Sequence, residues 1–386
     1  MKALLDLKKA GQSYWLDNLT RDMILNGELK KRVTEQGLRG VTSNPAIFNK
    51  AISKSDLYDE QIRELALNNA STAAIYEALV VQDVQAACDI LRPVYDESDG
   101  EDGYVSLEVS PHLAHDTDGT MNEVRYLFER VNRPNVLMKI PGTEEGVPAI
   151  ERLLFEGINI NITLLFSIEA YEEVAKAYIN ALEDRIAHKQ PIDKIASVAS
   201  FFVSRIDVLV DLLLSHRVLT DNRPFNGVIA QDLMGKAAIA NAKFAYQKYR
   251  RFFHGKKWEK LAKKGAKLQR LLWASTSTKN PQYSDVMYVE PLIGRDTVNT
   301  MPEDTIHAFS DHGIVQPNAI EKNSDKAGQI FKDLHKIGID MNFVTRQLVN
   351  EGIQKFIDPY DQLLKTIDAK RQQFLAEKNT EYHQKW

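Results

Sequence analysis

The chain has 386 residues, a net charge of −4, and 44% apolar and 26% charged residues. That length suits one large barrel or two ordinary domains, and the charge balance argues against a polyanionic partner such as nucleic acid. A single cysteine, Cys88, excludes an internal disulfide and an all-cysteine metal site.

Residues 1–12 read as an amphipathic lead-in. Their apolar run is too short for a secretory signal, and no stretch has the length of a membrane span. The expectation is a cytoplasmic chain with no membrane contact. Ser13-Tyr-Trp-Leu-Asp17 is a first strand with a carboxylate at its end, and 19–36 a helix stopped by Gly37. Residues 38–45 are a second strand, closed by Asn44-Pro45. A long helical tract covers 46–92, with Cys88 as core filler. Strand three is 103–109, by alternation. A helix over 118–132 leads to strand four, Asn135-Val-Leu-Met-Lys-Ile-Pro-Gly-Thr143, and a helix follows from Gly146 to about 156. Strand five spans 157–166, with Ser167 capping the next helix. Strand six is 195–200, followed by a helix from Val203. Strand seven is 268–275, and strand eight is 297–301, closed by Pro302.

Eight strands separated by helices predict a (β/α)8 TIM barrel. The chain is longer than such a barrel needs, which leaves a basic helical insert at about 218–268 and a helical C-terminal extension at about 320–386. No linker or internal repeat interrupts 1–386, so a single domain is expected. From Lys243 to Arg270 the only acidic residue is Glu259, and aromatic residues lie among the cations. The tract reads as a helical insert with a solvated face and an apolar stripe, in preference to a nucleic-acid patch or a subunit contact. Subunit number is open between monomer and homodimer.

Lys139 lies inside an apolar strand, between Met138 and Ile140. A buried ammonium without a partner is costly, and desolvation favours the neutral amine, which attacks carbonyls. The alternative is a lysine snorkelling from a strand edge into solvent. The other strand ends decide between them. Asp17, Asn44, Glu108, Lys139, Thr163, Ser200 and a Thr/Ser cluster at 275–278 fall at the carboxyl ends of seven strands, the face where barrel enzymes keep their sites. Their chemistry is complementary. Lys139 can form a Schiff base with a ketone, and Asp17 can move the hydroxyl proton that drives carbon–carbon cleavage. Glu108 and Thr163 can handle the water lost as the imine forms. Asn44, Asn161 and Ser200 can hold small hydroxyls, and Arg205 and Lys279 a phosphate. Each has a bland reading too: Asp17 as a helix cap, Asn44 as half of a turn pair, Glu108 facing solvent, Thr163 and Ser200 as ordinary strand residues, Arg205 on a helix surface.

The motifs Trp15-Leu-Asp-Asn-Leu, Val41-Thr-Ser-Asn-Pro, Val105-Ser-Leu-Glu-Val, Leu137-Met-Lys-Ile-Pro-Gly-Thr, Asn159-Ile-Asn-Ile-Thr-Leu-Leu-Phe-Ser and Trp273-Ala-Ser-Thr-Ser-Thr-Lys-Asn resemble, in order, those of transaldolases. The length and the basic insert are similar to the longer bacterial branch of that family. The resemblance implies a Schiff-base transferase of the pentose phosphate pathway, needing no cofactor and no metal, that moves a dihydroxyacetone unit between sugar phosphates. It implies the imine on Lys139, acid–base work on Asp17, water handling by Glu108 with Thr163, dihydroxyacetone contacts from Asn44, Asn161 and Ser200, and phosphate binding by Arg205. Family members often carry an arginine in an Ala-Ser-Phe-Arg-type segment of strand seven. Here the cation is Lys279, two positions later. Related fructose 6-phosphate aldolases usually have glutamine at the position of Glu108 and tyrosine at that of Phe202, so these two residues point to transfer rather than release. Three rivals remain: a metal-dependent aldolase or hydrolase using His112, His115, Asp116 and Asp118; a non-catalytic sugar-phosphate binder; and a simple aldolase.

Overall fold

The computed structural model describes residues 2–220 and 224–383. Eight parallel strands close into a barrel in sequence order: β1 Gln12–Leu16, β2 Gly40–Thr42, β3 Tyr104–Glu108, β4 Val136–Pro141, β5 Ile160–Leu165, β6 Ser197–Phe202, β7 Gln269–Ala274 and β8 Thr297–Met301. Helices separate the strands, as the alternating pattern requires, so the fold is the expected (β/α)8 barrel. The strands are buried almost throughout, because helices cover their outer face and side chains fill the inside. The seam closes where β1 pairs with β8 over its full length, from Gln12 against Thr297 to Leu16 against Met301.

Several boundaries differ from the sequence-based expectation, each for a local reason. The 19–36 helix is two helices, Arg21–Leu25 and Glu28–Glu35, broken at Gly27 with φ +81°. Strand two shrinks to three residues. Gly40 opens it because a Cβ there would meet the Trp15 ring at 2.4 Å. Asn44-Pro45 does not end the strand but starts a helix, Pro45–Ser53, whose Ile47 N–H donates to Asn44 Oδ1 at 3.1 Å. The tract 46–92 is three helices, Pro45–Ser53, Asp59–Leu67 and Thr72–Glu97. Strand five starts at Ile160, since Gly157 (φ +99°) ends the preceding helix. Strand six is shifted two residues along, to Ser197–Phe202. Ser167 caps as expected, accepting from Ala170 N–H at 3.1 Å.

The insert holds helices Pro224–Leu233, Ala237–Phe253 and Lys256–Ala262, and the C-terminal region helices Ser324–Lys336 and Met341–His383. Residues 221–223 of the expected insert and 384–386 of the expected extension lie outside the described residues. The basic tract is knitted into the fold. Lys248 pairs with Glu172 at 2.6 Å, Arg250 with Glu321 at 2.6 Å and Lys257 with Glu183 at 3.2 Å. Tyr249, Phe253 and Trp258 are buried, with the Phe253 and Trp258 rings edge to face at 4.8 Å. Lys243 is buried, and its ammonium donates to the carbonyls of Ala319, Ile320 and Lys322 at 2.7–3.0 Å. Among the described residues no helix is long and apolar enough to cross a membrane.

Candidate active site

The carboxyl ends of the strands surround a cavity of about 200 Å3. Asp17, Asn44, Lys139, Thr163, Ser200, Phe202, Arg205 and Lys279 line it, together with Thr42, Thr300 and Phe356. The period-2 geometry of the strands places them there: residues of one parity point into the barrel, and register aligns neighbours across strands. Glu108 on β3 stands opposite Lys139 on β4, which stands opposite Asn161 on β5.

Lys139 is 5% exposed and does not snorkel. Its ammonium donates to Glu108 Oε2 at 3.1 Å and to the Ser43 carbonyl at 3.1 Å. Glu108 lies behind the lysine rather than on the cavity wall. Burial pushes its carboxyl up to about 6, against the pull of the Lys139 charge. Asp17, just beyond β1, is likewise raised above the usual carboxylate range by burial, opposed by Lys139 and by its bond from Thr42. Thr42 Oγ1 donates to Asp17 Oδ1 at 2.8 Å and lies 2.6 Å from Thr300 Oγ1. A hydroxyl has one proton, so Thr300 is the donor in the second bond, and the Thr42 hydroxyl links β8 to the carboxylate at the end of β1.

Asn161 does not reach the cavity. It stands one layer below, accepting from Ser200 Oγ at 2.7 Å and donating to Ser106 Oγ at 2.9 Å. Asn44 lines the wall while spending its carbonyl oxygen on the helix cap. Two buried polar atoms on the cavity residues have no hydrogen-bond partner among the described residues, Thr163 Oγ1 and Arg205 Nη1. Both residues line the same cavity, where a bound ligand could pair with these atoms. The Arg205 guanidinium lies 5.6 Å from the Phe202 ring centroid, and Lys279 is held by Ser277 Oγ. Burial lowers both cations, and the Arg205 charge lowers Lys279 further, so an anion beside them would be favoured.

A second cavity, of about 240 Å3, lies at the opposite end of the barrel. Several of its polar residues pair with one another. Arg270 donates to Asp102 at 3.0 Å, to Ser13 Oγ at 2.7 Å and to the Thr297 carbonyl at 2.7 Å, and Ser13 donates to Asp102 at 2.6 Å. That end is a structural clamp, and the chemistry belongs at the carboxyl end. The rival metal residues are employed otherwise: His112 on Asp361 at 2.7 Å, His115 on Glu145 at 3.0 Å, and Asp116 capping Gly119 at 2.9 Å.

Sequence reasoning missed three features. Thr42 sits in a quoted motif, and a hydroxyl beside a strand-end carboxylate was the available signal. Phe356 comes from the helix Met341–His383, and nothing local marks it. Asp207 and Asp211 follow Arg205 on its helix, Ser204–Thr220. Asp207 accepts from Ala238 N–H at 2.8 Å and Tyr288 O–H at 2.9 Å, and Asp211 from Gly235 N–H at 2.9 Å and Tyr283 O–H at 2.7 Å. They tie the Arg205 helix to the insert and to the segment that follows Lys279. Their spacing of four residues on an apolar helix was the signal.

Fold and site together place the chain among (β/α)8-barrel proteins with a buried lysine and two carboxylates at the strand carboxyl ends. It belongs to the transaldolase/fructose-6-phosphate aldolase family, whose sequence model matches residues 14–367. Among curated relatives it is 50% identical over 371 residues to "Transaldolase 2" of Nostoc sp. (95% of this chain, 97% of the relative). It is 48% identical to the Trichodesmium erythraeum "Transaldolase" (95% and 97%) and 43% identical to that of Mycobacterium bovis (94% and 95%).

Proposed function

We propose that the chain is a transaldolase acting through an imine on Lys139. It moves a dihydroxyacetone unit from a ketose phosphate (sedoheptulose 7-phosphate or fructose 6-phosphate) to an aldose phosphate (glyceraldehyde 3-phosphate or erythrose 4-phosphate), a step of the pentose phosphate pathway. One observation carries the assignment of the site: a buried lysine bonded to a carboxylate on the next strand, in a cavity whose partnerless polar atoms are Thr163 Oγ1 and Arg205 Nη1. The single cysteine, buried and unpaired, supports a cytoplasmic location. The continuous apolar cluster from Leu4 to Phe374 supports one barrel domain.

In this scheme the neutral amine of Lys139 attacks the ketose carbonyl, and the carbinolamine loses water between Glu108 and Thr163. Asp17 takes the proton from the hydroxyl on the fourth carbon as the bond between the third and fourth carbons breaks. The first aldose phosphate leaves, and an enamine stays on the lysine. It attacks the acceptor aldehyde, and Asp17 returns the proton. A raised carboxyl suits this exchange, since it holds a proton more readily than a surface aspartate. Water then adds to the new iminium carbon, giving its proton to Glu108. The carbon–nitrogen bond breaks as nitrogen takes a proton, freeing the product ketose and the Lys139 amine. Arg205 and Lys279 hold the phosphate, and Asn44 and Ser200 the hydroxyls, with Asn161 orienting Ser200. Glu108 and Phe202 favour transfer over release: Phe202, packed on Phe166 at 5.2 Å, has no hydroxyl to place a water.

The test is borohydride trapping with fructose 6-phosphate, followed by peptide mapping. A three-carbon adduct on the Lys139 peptide is expected; labelling of another lysine, or of none, would overturn the assignment.

A further inference from the structure

One wall of the cavity comes from the C-terminal helix. Phe356 lies in the helix Met341–His383, is 6% exposed, and puts its ring centroid 5.4 Å from Lys139 Nζ. Two local features bring it there. Between Ile162 and Leu165 the register of β5 against β6 shifts, and Leu164 takes a left-handed φ of +59°. That conformation costs a leucine roughly 1–2 kcal/mol. Opposite Leu164 the helix carries Gly352, where a Cβ would meet Leu164 Cδ2 at 2.8 Å. The missing side chain lets the helix come down onto the strand end. Phe356 is one turn further on, on the same face. Beyond it, Asp361 bonds His112 at 2.7 Å and Asp368 bonds Thr72 at 2.7 Å, fixing the helix across the barrel mouth.

We infer that Phe356 determines specificity for group transfer, as the apolar wall that keeps water from the lysine-bound three-carbon unit. The inference rests on Lys139 being the imine lysine. Once the first aldose phosphate has left, the enamine has two fates. In transfer its carbon attacks the acceptor aldehyde. In release that carbon is protonated to give the iminium. Water oxygen then adds to the iminium carbon and loses a proton, and the carbon–nitrogen bond breaks as nitrogen takes a proton. Free dihydroxyacetone and the lysine amine result. Release therefore needs a water beside the imine carbon, and the Phe356 ring occupies the approach from the helix side. Its face also favours a cation at that nitrogen, so it can stabilise the iminium electrostatically while denying it water.

Phe356→Ala and Phe356→Leu test this, with Gly352→Ala as a variant that lifts the helix without touching the ring. The readout is the ratio of free dihydroxyacetone to transfer product, with fructose 6-phosphate as donor and erythrose 4-phosphate or no acceptor present. Phe356→Ala should raise that ratio severalfold or more, since closure is what keeps water from a reactive intermediate, while borohydride still labels Lys139. Phe356→Leu should fall between Phe356→Ala and the unmodified protein, and Gly352→Ala should also raise the ratio. An unchanged ratio in a folded, labelled Phe356→Ala protein, or an equal fall in transfer and release, would overturn the inference. If Phe356→Ala does not fold, the same criteria applied to Phe356→Leu decide. Failure to label Lys139 in the unmodified protein would refute the imine reading itself.

Discussion

Lys139, Glu108 and Asp17 lie together at the carboxyl end of the barrel, and their charges govern one another. Burial raises both carboxyls, and Lys139 pulls both back down. For Glu108 the balance falls at about 6. In the scheme above it must accept a proton from water during imine hydrolysis, and it cannot do so once protonated. The kcat profile should therefore fall as pH drops through about 6, and Glu108→Gln should abolish that limb along with most of the rate. An acidic limb that persists unchanged in Glu108→Gln would assign the titration to another group. The acidic and basic residues of this cluster were legible in the sequence because each stands in, or at the end of, a short apolar strand. The layer beneath them was less so. Asn161 alternates in β5 in the same way as Thr163, and only the three-dimensional stagger of the strands separates a cavity residue from one that braces its neighbour.

Among elements, the strands were easier to read than the helices. A buried parallel strand is a short apolar run, and each run was visible. The helix breaks depended on single residues whose roles emerge only in three dimensions. Gly27 takes a positive φ. Asn44 caps a helix instead of closing a strand. The approach of the C-terminal helix depends on Gly352 meeting a residue far away in sequence. The helix carrying Arg205 shows how such elements are fixed. Asp207 is 1% exposed, with its carboxyl pushed up to about 7, chiefly by burial. Its ordinary value is 3.8. Between these two values the folded chain binds the proton and the unfolded chain does not. Stability from this group is thus fully present at low pH and is lost as pH rises to about 7, at most about 1.4 kcal/mol per pH unit. Asp207→Asn removes that slope. Urea melts should show the variant more destabilised relative to the unmodified protein at pH 5 than at pH 7.5, and a difference constant with pH would show that Asp207 does not titrate there.

At the scale of the molecule, the two ends of the barrel divide the labour. The carboxyl end keeps buried polar atoms unpaired, at a cost to stability. At the amino end Arg270, Asp102 and Ser13 pair with one another. Arg270 and Asp102 have side chains 13% and 10% exposed. Around them Ser13, Trp15 and the Thr297 carbonyl complete a network joining β1, β7, β8 and the turn before β3. Asp102→Ala would leave the Arg270 guanidinium without its buried counterion, and unfolding free energy should drop by about 3–5 kcal/mol. Trapping on Lys139 at the far end should survive in the folded fraction. A loss below 1 kcal/mol in urea titration would show the clamp to be slack.

The pairing of β1 with β8 also bears on how the chain reaches this state. The two strands lie 285 residues apart at Gln12 and Thr297, while every other neighbouring pair is also consecutive in sequence. Bringing ends that distant together costs on the order of 5 kcal/mol of chain entropy, and contacts of that separation slow folding. Seven of the eight seams join consecutive strands, whereas the eighth requires both ends of the sheet to meet. Thr300 reaches Thr42, and through it Asp17, only across that last seam. The surroundings of the carboxylate are therefore finished at the same moment as the barrel itself.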